Sequence, residues 1–211
     1  MPSVSDLLHG QMPLFEQLPV QHAPDPAAAY AATLGPDTDP RRKFAVIKEA
    51  ACRRLLPPVL DWLAESDADE TARAEVLASL IQAADPDGYD FARNLERLSY
   101  WDGLDSEMVE ILDTYDGIRH DIVAQMVRAW VAANGITLDL EVGARVRDLQ
   151  RRCVASLTAT SADLPLRIGT VVALRPETAE VVVQFDEERH RFAGSDGGTI
   201  LPHTRVQRLD S

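Results

Sequence analysis

Cysteines, aromatic residues and long apolar runs are all scarce in this chain of 211 residues. The two cysteines, Cys52 and Cys153, form neither a disulfide framework nor a CxxC metal pair, which favours a reducing, cytoplasmic environment. No apolar run approaches the length of a membrane span, about 18 residues, and the N-terminus lacks the basic start and apolar stretch of a signal peptide. Aromatic residues make up only 6%, so Leu, Val, Ile and Ala must fill the core.

Catalytic motifs are missing as well. The chain contains no Walker loop, no GxGxxG, no HExxH and no GxSxG. His120 lies close in sequence to Asp116 and Asp121, but a histidine among acidic surface neighbours is a weak indication of a metal or acid–base site. The carboxylates of residues 102–110 surround a predicted helix start, where acidic residues interact favourably with the helix dipole. We therefore expect no enzyme activity, no cofactor and no metal. A metal-dependent enzyme is the least favoured function for this chain.

Negative charge is what the chain has in excess. The formal net charge is −13, which argues against a surface that binds nucleic acid over its whole extent. Residues 61–121 contain 17 Asp or Glu against four Arg, so the net charge of this block equals that of the whole chain. A solvated acidic face is the favoured interpretation. The alternative is a surface that docks a basic partner, or one that repels or imitates nucleic acid.

Two groups of basic residues flank the acidic block. If they converge in space, they could contact the phosphates of DNA. The alternative is a solvated amphipathic helix and a solvated strand edge. The candidate nucleic-acid contacts are Arg41, Arg42 and Lys43 in the first group, and Arg145, Arg147, Arg151 and Arg152 in the second.

Prolines separate an N-terminal arm from the rest of the chain. Seven of the 13 prolines lie within the first 40 residues, where charges are few. Such a stretch cannot bury enough apolar surface to offset its ordering entropy, so a flexible arm is predicted over residues 1–38. A short helix over residues 25–34, begun by Pro26, is compatible with this composition.

Residues 39–135 carry apolar side chains at helical spacing, which predicts a domain of five or six helices. In its first helix Phe44 shares an apolar face with Ile47, Ala51 and Leu55, and Pro57-Pro58 is expected to break or kink that helix. Two separate helices are expected at the end of this domain. One begins at Ser106, and the longest runs from about Gly117 to Asn134, with Gly135 as its stop.

After Gly135 the apolar pattern changes to the period of two that is typical of strands. Five strands are expected, over residues 144–147, 169–174, 180–185, 189–192 and 204–209. The fold class predicted for the whole chain is therefore α+β, with a multi-helix domain followed by a small antiparallel unit over residues 136–211.

Three segments of this unit are similar to an SH3-like small barrel of the Tudor or KOW type. They are Val142-Gly143-Ala144-Arg145-Val146, Ile168-Gly169-Thr170-Val171-Val172 and Val181-Val182-Val183-Gln184-Phe185-Asp186. The order of a glycine-led first strand, a GxV second strand and a VxVxFD third strand carries the resemblance, which covers about a third of the chain. It implies a five-stranded β-barrel that docks protein or nucleic acid, and the fold does not decide between these uses.

The arm contains Gln11-Met12-Pro13-Leu14-Phe15, which resembles the clamp-binding peptide of bacterial polymerases and mismatch-repair proteins. The match includes the four defined positions, Gln11, Met12, Leu14 and Phe15. The resemblance implies that Gln11 hydrogen-bonds at one subsite of the sliding clamp, and that Leu14 and Phe15 fill an apolar pocket at the other. The alternative is that Leu14 and Phe15 pack back onto the helical domain.

These features predict a non-enzymatic accessory protein that binds the bacterial sliding clamp. Its expected role is in DNA replication, DNA repair or the maintenance of a mobile element, with the sliding clamp and DNA as partners and without a membrane. The alternative is a protein-interaction or regulatory module of phage or plasmid type that uses its acidic helices and has no role with DNA.

Overall fold

The computed structural model describes residues 25–152, 166–188 and 198–209. These residues form five α-helices followed by a five-stranded antiparallel sheet, which confirms the α+β class. The helices are α1 (Pro26–Ala32), α2 (Phe44–Trp62), α3 (Glu70–Ala83), α4 (Gly88–Ser99) and α5 (Ser106–Asn134). The strands are β1 (Arg145–Arg152), β2 (Leu166–Arg175), β3 (Glu180–Phe185), β4 (Thr199–Pro202) and β5 (Val206–Arg208).

Aspartates begin most of the helices. Asp69, Asp87 and Asp105 each accept a hydrogen bond at 2.9–3.0 Å from the backbone N–H three residues further on, at the starts of α3, α4 and α5. Asp25 caps α1 by accepting a hydrogen bond from the backbone N–H two residues further on, that of Ala27, at 2.8 Å. A carboxylate in this position satisfies an amide without a helical partner and interacts with the helix dipole. Some of the acidic residues within 61–121 therefore serve as N-caps that define where helices begin.

The expected break at Pro57-Pro58 was wrong, since α2 continues through both prolines to Trp62. Each proline removes a backbone hydrogen bond within a helix, which normally kinks or ends it. Here both prolines lie on the exposed side, while Leu56 and Val59 beside them are buried against the other helices. Burial of the apolar face on either side of the prolines holds the helix together.

The two helices expected between Ser106 and Asn134 form one continuous helix, α5. Gly117, which lowers helix propensity by about 1 kcal/mol relative to alanine, lies in its interior. Tyr115 and Ile122 are buried on the two sides of this glycine, so tertiary packing maintains the helix across it. Gly135 ends α5 in the left-handed conformation, with φ of 59°, as the sequence predicts.

The last part of the predicted arm is packed on the helical core. The helix compatible with residues 25–34 forms as α1, which lies on α5 and buries Ala27 and Ala31. Arg54 of α2 donates hydrogen bonds to Asp25 at 2.6 Å and to Gln125 at 2.7 Å, and these contacts join α1 to two other helices. Residues 1–24 of the expected arm lie outside the described residues.

The strands follow the order β4-β3-β2-β1-β5, with every neighbouring pair antiparallel. Gly169 allows β2 and β3 to approach closely, because a Cβ there would lie 2.6 Å from the backbone oxygen of Gln184. β4 was not expected from the sequence, and the strand expected at 189–192 lies outside the described residues. The outer strands β4 and β5 are not paired with each other in the described part, so closure into a barrel stays a prediction.

The sheet packs on the C-terminal half of α5. Ala179, just before β3, is fully buried in the core of the helical part. Trp130 of α5 is 1% exposed and its ring lies 6.3 Å from that of His203, in the 3-10 turn between β4 and β5. The indole N–H of Trp130 donates to the carbonyl of Gly35 at 3.0 Å, so the segment before α2 belongs to the same junction.

Candidate functional site

The basic surface is the region around Arg41, Arg42 and Lys43. It begins at the 3-10 turn Pro40–Arg42, immediately before α2. Arg41 donates hydrogen bonds to the carbonyl of Thr178 at 2.7 Å and to Glu180 at 3.0 Å, and it also pairs with Asp39. Its guanidinium therefore joins the turn to the start of β3. We assign Arg41 a structural role, because its charge is already balanced by two carboxylates.

Arg42 and Lys43 differ from Arg41 in having no described ion pair, and Arg42 is exposed. They line a hollow of about 340 Å³ together with Gln150 of β1, Thr204 of the turn before β5 and two aspartates, Asp37 and Asp39. The backbone of Lys43 begins α2, and no side chain caps this helix. Arg42 and Lys43 thus lie where the helical part meets the sheet, with Asp37 and the Arg41-paired Asp39 beside them.

Next to this hollow lies a second one, of about 320 Å³, around Phe44. Phe44 was expected on the buried face of α2, but it is 73% exposed, while Ile47 is buried. Three cations line this hollow, but Arg41 is paired with Asp39 and Glu180, and Arg119 is paired with Asp116 at 2.7 Å. Lys48 takes part in no described ion pair. An exposed ring beside this lysine is suited to an aromatic anion, such as a nucleotide base with its phosphate. The spacing of Phe44 and Lys48, four residues apart on a helix, was the sequence feature that could have indicated this hollow.

The remaining predicted contacts lie on the sheet. Arg145 makes a double hydrogen bond to Asp186 at 2.9 and 2.5 Å, and this bond raises the pKa of Arg145 above its usual value. Arg147 donates to Gln207 on β5 at 2.7 Å. No described contact joins these arginines to Arg42 or Lys43, and Arg145 and Arg147 are held by their own partners on the sheet.

Arg151 and Arg152 end β1, but their side chains are outside the described part of the chain, and so is the peptide with Gln11, Met12, Leu14 and Phe15. Their assignment as contacts stays a prediction.

A buried ion pair holds the sheet to the turn before β5. Asp148 of β1 is fully buried and accepts a hydrogen bond from Arg205 at 2.6 Å. Asp148 also accepts one from the backbone N–H of Gln150, at 2.9 Å. A buried carboxylate requires such partners, so this pair is structural. It positions Thr204 next to Arg42 and Lys43.

The histidine that the sequence placed among acidic residues lies on the surface of α5. The Nδ1 atom of His120 is 3.3 Å from a carboxylate oxygen of Asp116, and the hydrogen bond from Arg119 lowers the pKa of Asp116. Within residues 25–152, 166–188 and 198–209, no three His, Cys, Asp or Glu side chains are arranged to hold a metal ion. None of the described helices is long and apolar enough to cross a membrane.

Comparison with known proteins identifies one weak similarity. A curated protein called ATP phosphoribosyltransferase regulatory subunit, from Paraburkholderia phytofirmans, is 30% identical over 140 residues. The match covers 66% of this chain and 34% of that protein, so the chain spans about a third of the relative's length. No protein-family profile matches the chain, and no solved structure matches it.

Proposed function

We propose that this protein is a non-enzymatic accessory factor of the bacterial sliding clamp that acts in DNA replication, DNA repair or the maintenance of a mobile element. The observation that carries the proposal is the peptide Gln11-Met12-Pro13-Leu14-Phe15. In this proposal Leu14 and Phe15 fill the apolar pocket of the clamp and Gln11 hydrogen-bonds beside it. A few pocket-filling side chains carry most of the energy of such an interaction.

The position of the peptide in the chain supports the proposal. Residues 16–24 separate Phe15 from Asp25, which caps the first described helix. A chain of this length reaches at most about 30 Å when extended. That reach allows the peptide to bind the clamp while the folded part stays close to it.

The basic surface supports a role for DNA in the same proposal. Arg42 and Lys43 would contact phosphates, and the exposed ring of Phe44 would stack on a base. The acidic helices would face away from the DNA, since like charges repel.

A second candidate function is a regulatory module that binds protein and has no role with DNA. Two observations favour it: the acidity of residues 61–121 and the name of the weakly similar protein from Paraburkholderia phytofirmans, a regulatory subunit. In this case the arm peptide would have no affinity for the clamp.

Binding of the full chain to purified sliding clamp tests the proposal. The double variant Leu14→Ala/Phe15→Ala should bind at least about a hundredfold more weakly than the unchanged chain, because loss of the two anchors together costs about 3 kcal/mol or more. The matched control is Leu7→Ala/Leu8→Ala, which removes two large apolar side chains from the same arm and should leave the affinity unchanged. Calorimetry or surface plasmon resonance measures both. Equal affinity of the two double variants, or no binding by the unchanged chain, would refute clamp binding and favour the second candidate.

A further inference from the structure

On the acidic part of the molecule, an apolar groove lies between the end of α2, helix α3 and the connection from α4 to α5. Its cavity volume is about 330 Å³, enough for one or two large side chains but small for a drug-sized ligand. The residues that line it are Trp62, Leu63, Glu65, Glu75, Val76, Ser79, Trp101, Asp102 and Leu104.

Two half-buried tryptophans form the apolar part of this groove, and both are held in place by the fold. Trp62 is the last residue of α2, and its indole N–H donates to Asp105, the cap of α5, at 3.2 Å. Trp101 follows Tyr100, whose left-handed conformation, with φ of 58°, ends α4. Ordered tryptophans lose little conformational entropy on binding, and tryptophan is enriched among the residues that dominate interface energies.

The charged residues of the groove are all acidic. Glu65, Glu75 and Asp102 are exposed, and none of them takes part in a described ion pair. The neighbouring hollow shares Glu65 and adds Asp67 and Asp69. These carboxylates are therefore not neutralised by described side chains, in contrast to Asp39 and Glu180 on the basic surface. The negative electrostatic potential of these carboxylates attracts cations and repels nucleic acid.

We propose that this groove binds a basic peptide segment of a partner protein. One bulky apolar side chain of the segment packs against Trp62 and Trp101, and Lys or Arg side chains on both sides of it pair with Glu65, Glu75 and Asp102. A basic partner segment of this kind would be the partner in the second candidate function, and its binding does not depend on clamp binding. Groove binding and clamp binding can be tested separately, because different substitutions alter the groove and the arm peptide.

Tryptophan fluorescence of the full chain measures occupancy of the groove directly. The third tryptophan, Trp130, is buried at the junction with the sheet, so Trp62 and Trp101 are the residues whose emission and quenching by acrylamide should respond. The probe is a short synthetic peptide with one Phe flanked by Lys and Arg. Two matched peptides replace the Phe with Ser, or all Lys and Arg with Glu. The basic Phe peptide should bind at least about tenfold more tightly than the Ser peptide, and the acidic peptide should not bind.

Substitutions locate the binding. Glu75→Lys, on the exposed side of α3, should weaken binding of the basic Phe peptide at least about tenfold. The matched control is Glu110→Lys, the same exposed charge reversal on α5 outside the groove, which should change the affinity less than about twofold. Trp101→Phe provides a second variant, which keeps an aromatic ring but should reduce the fluorescence change.

Three outcomes would overturn the proposal. The first is equal binding of the Phe and Ser peptides, which would reveal general attraction of cations to an acidic protein. The second is an equal loss for Glu75→Lys and Glu110→Lys. The third is self-association of the unchanged chain in sedimentation that Glu75→Lys abolishes, because the occupant would then be a second copy that presents Phe44 with Arg42 and Lys43.

Discussion

Cys52 and Tyr115 illustrate how burial changes the chemistry of single residues. Cys52 is fully buried in α2, and burial raises the pKa of its thiol from 9.0 to about 12. Burial also raises the pKa of Tyr115 to about 12, and the Cys52 thiolate adds to that shift through like-charge repulsion. Both groups are therefore neutral at ordinary pH. A cysteine of this kind acts as a small apolar side chain and is not a nucleophile.

We predict that Cys52 resists thiol reagents while the protein is folded. At pH 8 a thiol with a pKa of about 12 is ionised in only about one molecule in 10,000, and the thiolate is the reacting species. The variant Cys153→Ser isolates Cys52, and its reaction with Ellman's reagent is measured spectroscopically from pH 7 to pH 10. Labelling should be slow throughout this range and should become rapid in denaturing urea. Equally rapid labelling of folded and unfolded protein would contradict the burial of Cys52.

At the scale of elements, a short 3-10 turn connects the helical part to the sheet. Arg41 in this turn contacts Thr178 and Glu180, which lie beside and within β3. The side chains of Arg41 and Glu180 are each 20% exposed, so water screens their attraction less than it does on the open surface. The contact also explains why a basic residue that the sequence suggests as a DNA contact has a structural role.

A double-mutant cycle of Arg41→Ala and Glu180→Ala should yield a coupling energy of about 1 kcal/mol in urea unfolding. The matched control is the cycle of Arg53→Ala and Glu49→Ala, a pair one helical turn apart whose side chains are 60% and 50% exposed. That pair should couple by less than about 0.5 kcal/mol. If the two cycles give the same coupling energy, the turn does not join the two parts as described.

For the whole molecule, the junction of the helices with the sheet is part of the core. Ala179 from the sheet segment is buried among helical residues, and Trp130 contacts His203 and Gly35. The sequence suggests separate parts over residues 39–135 and 136–211, since the apolar period changes at Gly135. The shared buried contacts couple these parts energetically.

We therefore predict that the chain unfolds in a single transition. The calorimetric and van't Hoff enthalpies should agree, and the loss of helical circular dichroism should coincide with the change in tryptophan fluorescence. Differential scanning calorimetry with both spectroscopic probes measures this. Two resolved transitions, with the helical signal surviving the first, would show that the sheet folds independently of α5.

Local features of the sequence were sufficient to determine several elements of this protein. The start of α5 at Ser106 was predicted from the sequence, and Asp105 caps it because a short carboxylate reaches the free amides of a helix end. Gly135 marks the end of α5, because glycine adopts the left-handed conformation without strain. The run of β-branched valines in β3 and the excess of Asp and Glu could also be recognised without coordinates. The arm peptide is a sequence feature as well, and its function stays a prediction.

Only the tertiary structure decided the rest. Packing carries α2 through Pro57-Pro58 and α5 through Gly117, because burial of apolar side chains on both sides outweighs a local loss of helix stability. Packing also leaves Phe44 exposed on a face whose other members are buried. Trp62 and Trp101 are far apart in the sequence and share a groove only because α2, α3 and α4 converge. No local pattern records which distant residues meet, so the acidic tryptophan groove could be found only in the folded molecule.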